Sequence, residues 1–245
     1  MAMDQKRRQK QLARKAAKRK RILAEKRASQ RKMDISSLKG LIRLASNSPI
    51  HECLVPKGIF DVGIGDIVIS RKMPDGEIAV SLFLVDTYCL GVKDCFFTTV
   101  SNSGYDNRMT HLRQNEDLER VEPEYALKLI EGAVAYAMGI GFNPHKEYPL
   151  VKGIFGSIDP SGCSCEFEFG KDGKPFYVSG PNATQADSSR IISILNERLG
   201  PEGFHYMIGM DVREDLDEGE EMESSRKGFR IVFLIYLRTE TFIVN

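Results

Sequence analysis

"DIVISRKMPDGEIAVSLFLVD", residues 66–86, consists of two apolar strand-like runs around Pro74-Asp75-Gly76. Proline presets the backbone for the first turn position and glycine accepts the positive φ that follows, so the stretch predicts an antiparallel hairpin. Its second run is apolar on both faces from Ile78 to Val85, which assigns it to a central position in its sheet.

Working outward, "EPEYALKLIEGAVAYAMGIG" (122–141) carries Ala126, Leu129, Ile130, Ala133 and Ala137 on one helical face, with Pro123 at the first helical position. "CEFEFGKDGKPFYVSG" (165–180) repeats the logic of the first hairpin, with Asp172-Gly173 at the turn. "ADSSRIISILNERLG" (186–200) predicts a helix with Ile191, Ile194, Leu195 and Leu199 inward and Gly200 as its stop. Its cap is expected from Asn182, Thr184 or Asp187 in the preceding "SGPNATQAD", which lacks the glycine spacing of a phosphate-binding loop. Two strand-like runs close the chain, at 203–212 and 229–238, around a solvated loop, "EDLDEGEEME" (214–223). On the N-terminal side, Ile35, Leu38, Leu41, Ile42 and Ala45 predict a short helix capped by Asp34 or Ser36 and ended by "SNSP". Hairpins interleaved with helices define the α+β class, antiparallel hairpins with packed helices.

The first 33 residues are different in kind. They hold fourteen Lys or Arg against Asp4 and Glu25, a balance of +12, whereas the remaining 212 residues carry 21 basic and 32 acidic groups, a balance of −11. The net charge of +1 thus conceals a basic arm joined to an acidic body. Leu12, Ala16 and Leu23 make only a thin apolar line on a helical wheel, too narrow to bury against a core, so the arm reads as helical or disordered. The expected organisation is an arm at 1–33 and an α+β body at 34–245, with any subdomain split falling near 142–160.

No apolar run approaches the roughly 18 residues of a membrane span, and no apolar segment follows the N-terminal charges as in a secretory signal. Five cysteines, an odd number, fit a reducing cytoplasm better than a disulfide framework.

"FLVDTYCLGVKDCFF" (83–97) and "FGKDGKPFYVSGPN" (169–182) are similar to segments of an uncharacterised family of bacterial proteins. The resemblance covers most of the body. It implies one coherent fold and a bacterial cytoplasmic origin, and it brings no established activity.

Four chemistries are open to the body. Asp86 at a strand end, with Lys93 and Asp94 on the loop after Gly91, offers carboxylates for Mg²⁺ and an ammonium for phosphate, as a metal-dependent hydrolase or nuclease requires. No nuclease spacing accompanies them, and the competing assignment is a turn capped by Asp86 and Asp94, with Cys89, Leu90, Val92 and Phe96 packed around it. A nucleophilic thiol at Cys89 or Cys95 would need His111, His145 or His205 beside it. His51, Cys53, Cys163 and Cys165 suit zinc in kind, but structural zinc sites place two to four residues between paired ligands and each pair here has one. The last is an anion at the start of the 186–200 helix, for which an ordinary helix cap is the simpler reading.

The arm is the strongest functional signal. Lys6, Arg7, Arg8, Lys10, Arg14, Lys15, Lys18, Arg19, Lys20 and Arg21 can neutralise phosphates and release their counterions. It contains no aromatic residue for base stacking. The expected function is a non-enzymatic, cofactor-free protein that contacts the backbone of RNA or DNA, or a ribonucleoprotein, with no membrane role. The alternatives are the hydrolase above, an adaptor that engages a protein partner, or an arm folded onto the acidic loop at 214–223.

Overall fold

The computed structural model describes residues 37–208. An antiparallel sheet of five strands, β1 (Ile50–Pro56), β2 (Ile64–Lys72), β3 (Ile78–Asp86), β4 (Gly91–Val100) and β5 (Leu118–Arg120), runs in the order β4-β3-β2-β1-β5. The hairpin of residues 66–86 forms as read, with register from Lys72↔Ile78 at the turn to Ile64↔Asp86 at the open end. Every residue of β3 is buried. The reason lies in its alternation: Phe83 and Val85 face one core with Ile67 and Ile69, while Leu82 and Leu84 face a second with Val68.

A helix covers each face. The first core is closed by the helix Pro123–Gly139, which buries Ala126, Leu129, Ile130, Ala133 and Ala137 and begins with proline at its start. The second is closed by the helix Asn102–Asn115, whose Tyr105, Met109 and Leu112 pack on Leu82, Leu84 and Phe96. In chain order the helices are α1 (Leu38–Ser46), α2 (Ile59–Val62), α3 (Asn102–Asn115), α4 (Pro123–Gly139), α5 (Tyr148–Val151) and α6 (Gln185–Leu199). The fold is α+β.

Helix α1 is capped by Ser37, whose Oγ accepts the Gly40 N–H at 3.1 Å, and not by the expected Asp34 or Ser36, which fall outside the described residues. Arg71 of β2 ties this helix to the sheet. Its buried guanidinium donates to the carbonyls of Ser48 and Phe155. Residues 142–160 contribute α5 and the 3-10 turn Lys152–Phe155, which bury Tyr148, Val151, Ile154 and Phe155 in the first core.

A smaller unit follows. Strand β6 (Phe176–Val178), helix α6 and strand β7 (His205–Met207) make a parallel pair crossed by a helix, with Tyr177, Leu195 and Phe204 packing on Cys89 and Ile140. Thr184 caps α6 in a reciprocal box with Asp187, one of the expected arrangements, and Gly200 ends it at φ 75°. The second predicted hairpin does not form. Its turn is made, but the only pairing across it is the isolated bridge Lys171↔Lys174, and its outgoing strand pairs instead with β7. The acidic loop at 214–223, the run at 229–238 and the basic arm lie outside the described residues. Among the described residues, no helix is long and apolar enough to cross a membrane.

Candidate functional site

Helix α2, a single turn between β1 and β2, sets Phe60 and Asp61 above the β3–β4 turn. The Tyr88 hydroxyl of that turn donates to the Asp61 carbonyl at 2.7 Å and holds the two segments together. Opposite them runs the stretch 165–172. Its alternation of acid and aromatic sends Phe167 and Phe169 inward and leaves Glu166 and Glu168 in solvent. Phe167 stacks on Phe60 at 5.6 Å with an interplanar angle of 17°, and meets Tyr125 edge-on at 5.0 Å. Phe169 stacks on Tyr136 at 5.9 Å and lies on Gly132 of α4, where a Cβ would come within 2.7 Å of its ring.

Between these walls is an open cleft of about 460 Å³. Its floor is aromatic, from Phe60, Tyr88 and Phe167, and its rim carries four carboxylates, Asp61, Glu166, Glu168 and Asp172, against one ammonium, Lys171. Among the described residues, none of the four carboxylates has an ion-pair partner. The Lys171 ammonium lies over two rings, 5.6 Å from the centroid of Tyr88 and 5.3 Å from that of Phe176. Desolvation, with the negative charges of Asp61 and Asp172, raises the Tyr88 pKa, so the ring stays a neutral phenol. Such a cleft favours cations, which find ring faces below and carboxylates around them. No sequence reading above singled it out. The signal was present in "CEFEF", whose acids alternate with aromatic residues inside the stretch read as a second hairpin.

The sequence-derived candidates are placed as follows. Asp86 is buried at the end of β3, where its Oδ1 accepts the N–H groups of Tyr88 at 3.0 Å and Cys89 at 2.8 Å. Burial raises its pKa against the opposing pull of Lys93 and of the backbone N–H groups. It caps the turn; Cys89, Val92 and Phe96 are buried, each in a different core, and Leu90 is half-buried. Lys93 and Asp94 are in strand β4, not in the loop expected for them. The turn is shorter than supposed because Gly91 already pairs with Asp86 at φ 65°, where a Cβ would sit 2.9 Å from the Ala133 carbonyl. The register slips at Leu84/Val85, which leaves Lys93 as the residue inserted in a bulge.

Asp94 joins a different group. Cys95 Sγ is 3.7 Å from His145 Nδ1, and His145 Nε2 is 3.7 Å from Asp94 Oδ1. Thiol, imidazole and carboxylate follow one another in the order of a nucleophilic triad. However, Cys95 is wholly buried, the Glu147 N–H also points at Nδ1 at 3.4 Å, and Asp94 Oδ1 accepts the Cys95 N–H at 2.8 Å. Attack on a substrate requires an accessible thiolate, and this sulfur has no path to solvent in the described fold. His111 and His205 are exposed, on α3 and β7.

The zinc candidates divide. Cys53 is buried in the first core, where desolvation pushes its thiol up to about 12, and His51 packs edge-on against Tyr105 at 5.0 Å. Cys163 and Cys165 are adjacent on the surface segment, linked by the Cys165 N–H to Cys163 Sγ at 3.4 Å. No group of three or more potential ligands able to hold a metal occurs among the described residues. None of the five cysteines forms a disulfide. The ten arm residues from Lys6 to Arg21 fall outside the described residues.

No family model, curated protein or solved structure matches the chain.

Proposed function

We propose that this is a non-enzymatic cytoplasmic protein that holds the phosphate backbone of nucleic acid, alone or within a ribonucleoprotein, through residues 6–21. The observation that carries the reading is the division of charge: fourteen Lys or Arg within 33 residues, joined to a body whose balance is −11. Ten of those cations fall between Lys6 and Arg21. Each phosphate they neutralise releases condensed counterions, so affinity is bound to salt and largely indifferent to sequence. The acidic body opposes nonspecific engagement elsewhere on its surface and keeps binding reversible.

The test is binding of labelled RNA, single-stranded DNA and duplex DNA of unrelated sequence by the full chain and by a chain lacking residues 1–33. The full chain is expected to lose affinity on the order of 10³-fold between 50 and 200 mM salt if about six phosphates are engaged. The truncated chain is expected to bind none of the three. Equal binding by the two chains at both salt concentrations would overturn the proposal.

A further inference from the structure

We propose that the aromatic cleft of Phe60, Tyr88 and Phe167 is a docking site for guanidinium and ammonium side chains, and that its occupant is the chain's own basic segment, Lys6 to Arg21. Three observations converge on this. The first is charge complementarity, since four carboxylates without ion-pair partners among the described residues rim the cleft and the segment from Lys6 to Arg21 supplies ten cations. The second is chemistry. Lys171 already lies 5.6 Å and 5.3 Å over the Tyr88 and Phe176 rings, so this aromatic surface takes a side-chain cation within the fold itself. The planar guanidinium groups of Arg7, Arg8, Arg14, Arg19 and Arg21 stack on such rings better than an ammonium does.

The third is reach. Arg21 is sixteen residues from Ser37, where the described fold begins, a tether that spans up to roughly 50 Å when extended. A body of about 170 residues has a radius of gyration near 16 Å, and Lys6, thirty-one residues from Ser37, has roughly twice the reach of Arg21, so part of the segment can reach any point of its surface. The acidic loop at 214–223 competes for the same cations with seven carboxylates but no aromatic residue. It offers only attraction that salt screens. The cleft adds ring faces, and rings hold a cation by a term that survives partial screening.

Docking there has a consequence that rests on the proposed nucleic-acid function. Cations seated in the cleft are withheld from phosphate, so polyanion must displace the cleft to bind. The cleft then sets the threshold affinity, and neutralising its rim strengthens nucleic-acid binding.

The full chain and a full chain bearing Asp61→Asn, Glu166→Gln, Glu168→Gln and Asp172→Asn are compared, all four sites being exposed and outside the cores. Carbodiimide, which joins an ammonium to a contacting carboxylate, is applied to the unsubstituted chain and the products are mapped by mass spectrometry. Links from Lys6, Lys10, Lys15, Lys18 or Lys20 to the rim acids are expected. Links confined to residues 214–223 would overturn the proposal. Trypsin is expected to cut between residues 6 and 21 several-fold faster in the substituted chain at low salt, and a Phe167→Ala chain with its carboxylates intact should be cut faster as well. Equal rates in all three chains would overturn it. The two proposals fail separately. Rim crosslinks without RNA binding leave the docking site and remove the function, whereas RNA binding without rim crosslinks does the reverse.

Discussion

Asp75-Gly76 and Asp172-Gly173 are the same dipeptide in two turns with different outcomes. Across the first, β2 and β3 pair over nine residues. Across the second there is one bridge. The turns themselves are both sound: Gly76 has φ 89°, and Asp172 and Gly173 have φ 52° and 75°, the left-handed pair of a tight hairpin turn. What differs is where the flanking N–H groups go. Gly170 donates to the Thr87 carbonyl at 2.9 Å and Phe176 to the Tyr88 carbonyl at 3.1 Å, while Pro175 has no N–H to give. The flanks of the second turn are therefore bonded to the β3–β4 turn instead of to each other. Their aromatic side chains stack on Phe60 and Tyr136 from α2 and α4. A turn is decided locally; a ladder is decided by what else competes for its backbone and side chains. Here the loss of the ladder is what opens the cleft.

The contrast can be broken by substitution. The largest effect is expected in the laddered hairpin. Phe83 is fully buried, with ring neighbours Phe155 at 6.0 Å and Tyr148 at 6.3 Å. Phe83→Ala should cost about 3–5 kcal/mol in urea unfolding followed by circular dichroism, lowering the whole transition. Phe167, half-buried in the unladdered flank, should cost about 1–2 kcal/mol when changed to Ala, from lost area and one stacked pair. Hydrogen exchange should then quicken at residues 165–176 and stay unchanged in β2 and β3. Equal costs for Phe83 and Phe167 would mean that the two regions are equally integrated, and the contrast would fall.

Smaller effects isolate the turns. A Cβ at Gly76 or at Gly173 meets nothing within 4 Å, so Gly→Ala at either site carries only the penalty of a positive φ, about 1–2 kcal/mol. The two substitutions should agree within about 0.5 kcal/mol by thermal or urea unfolding. A markedly larger cost at Gly76 would show that the ladder shares the strain of its turn.

These differences explain what was legible in the sequence. Residues 66–86 carried turn, alternation and apolar character together, and α4 carried its stripe from Ala126 to Ala137, so both were readable. Thr184 and Gly200 marked the ends of α6 for the same reason, since caps act within a few residues. Strand β4 escaped because Lys93 and Asp94 interrupt its apolar pattern, and only the pairing with β3 shows Lys93 to be a bulge. The cleft was illegible for a related reason. It joins Phe60, Tyr88 and Phe167, far apart in the chain, and no local period links them. Cys95 and His145 were among the residues considered for a nucleophile, but sequence order could neither bring them within 3.7 Å nor reveal that the sulfur is buried.

Asp86 is the junction of the two regions, and its effect starts from zero. It ends β3, and its Oδ1 fixes the turn whose Thr87 and Tyr88 carbonyls receive the second turn's flanks. Burial raises its folded pKa, so the native chain keeps this proton to higher pH than the unfolded chain does. Between the ordinary carboxylate range and that raised value the unfolded state binds fewer protons, and stability falls as pH rises through the window. Asp86→Asn keeps an acceptor oxygen for the Tyr88 and Cys89 N–H groups and cannot ionise. The variant should match the unsubstituted chain near pH 4 and gain on it as pH rises above the ordinary carboxylate range, the gain levelling off above the raised value, as read by urea midpoints at a series of pH values. Parallel curves across that range would mean that Lys93 and the backbone N–H groups fully offset the burial. Asp86 would then be an ordinary ionised cap, and the hinge between the laddered and unladdered turns would carry no pH dependence.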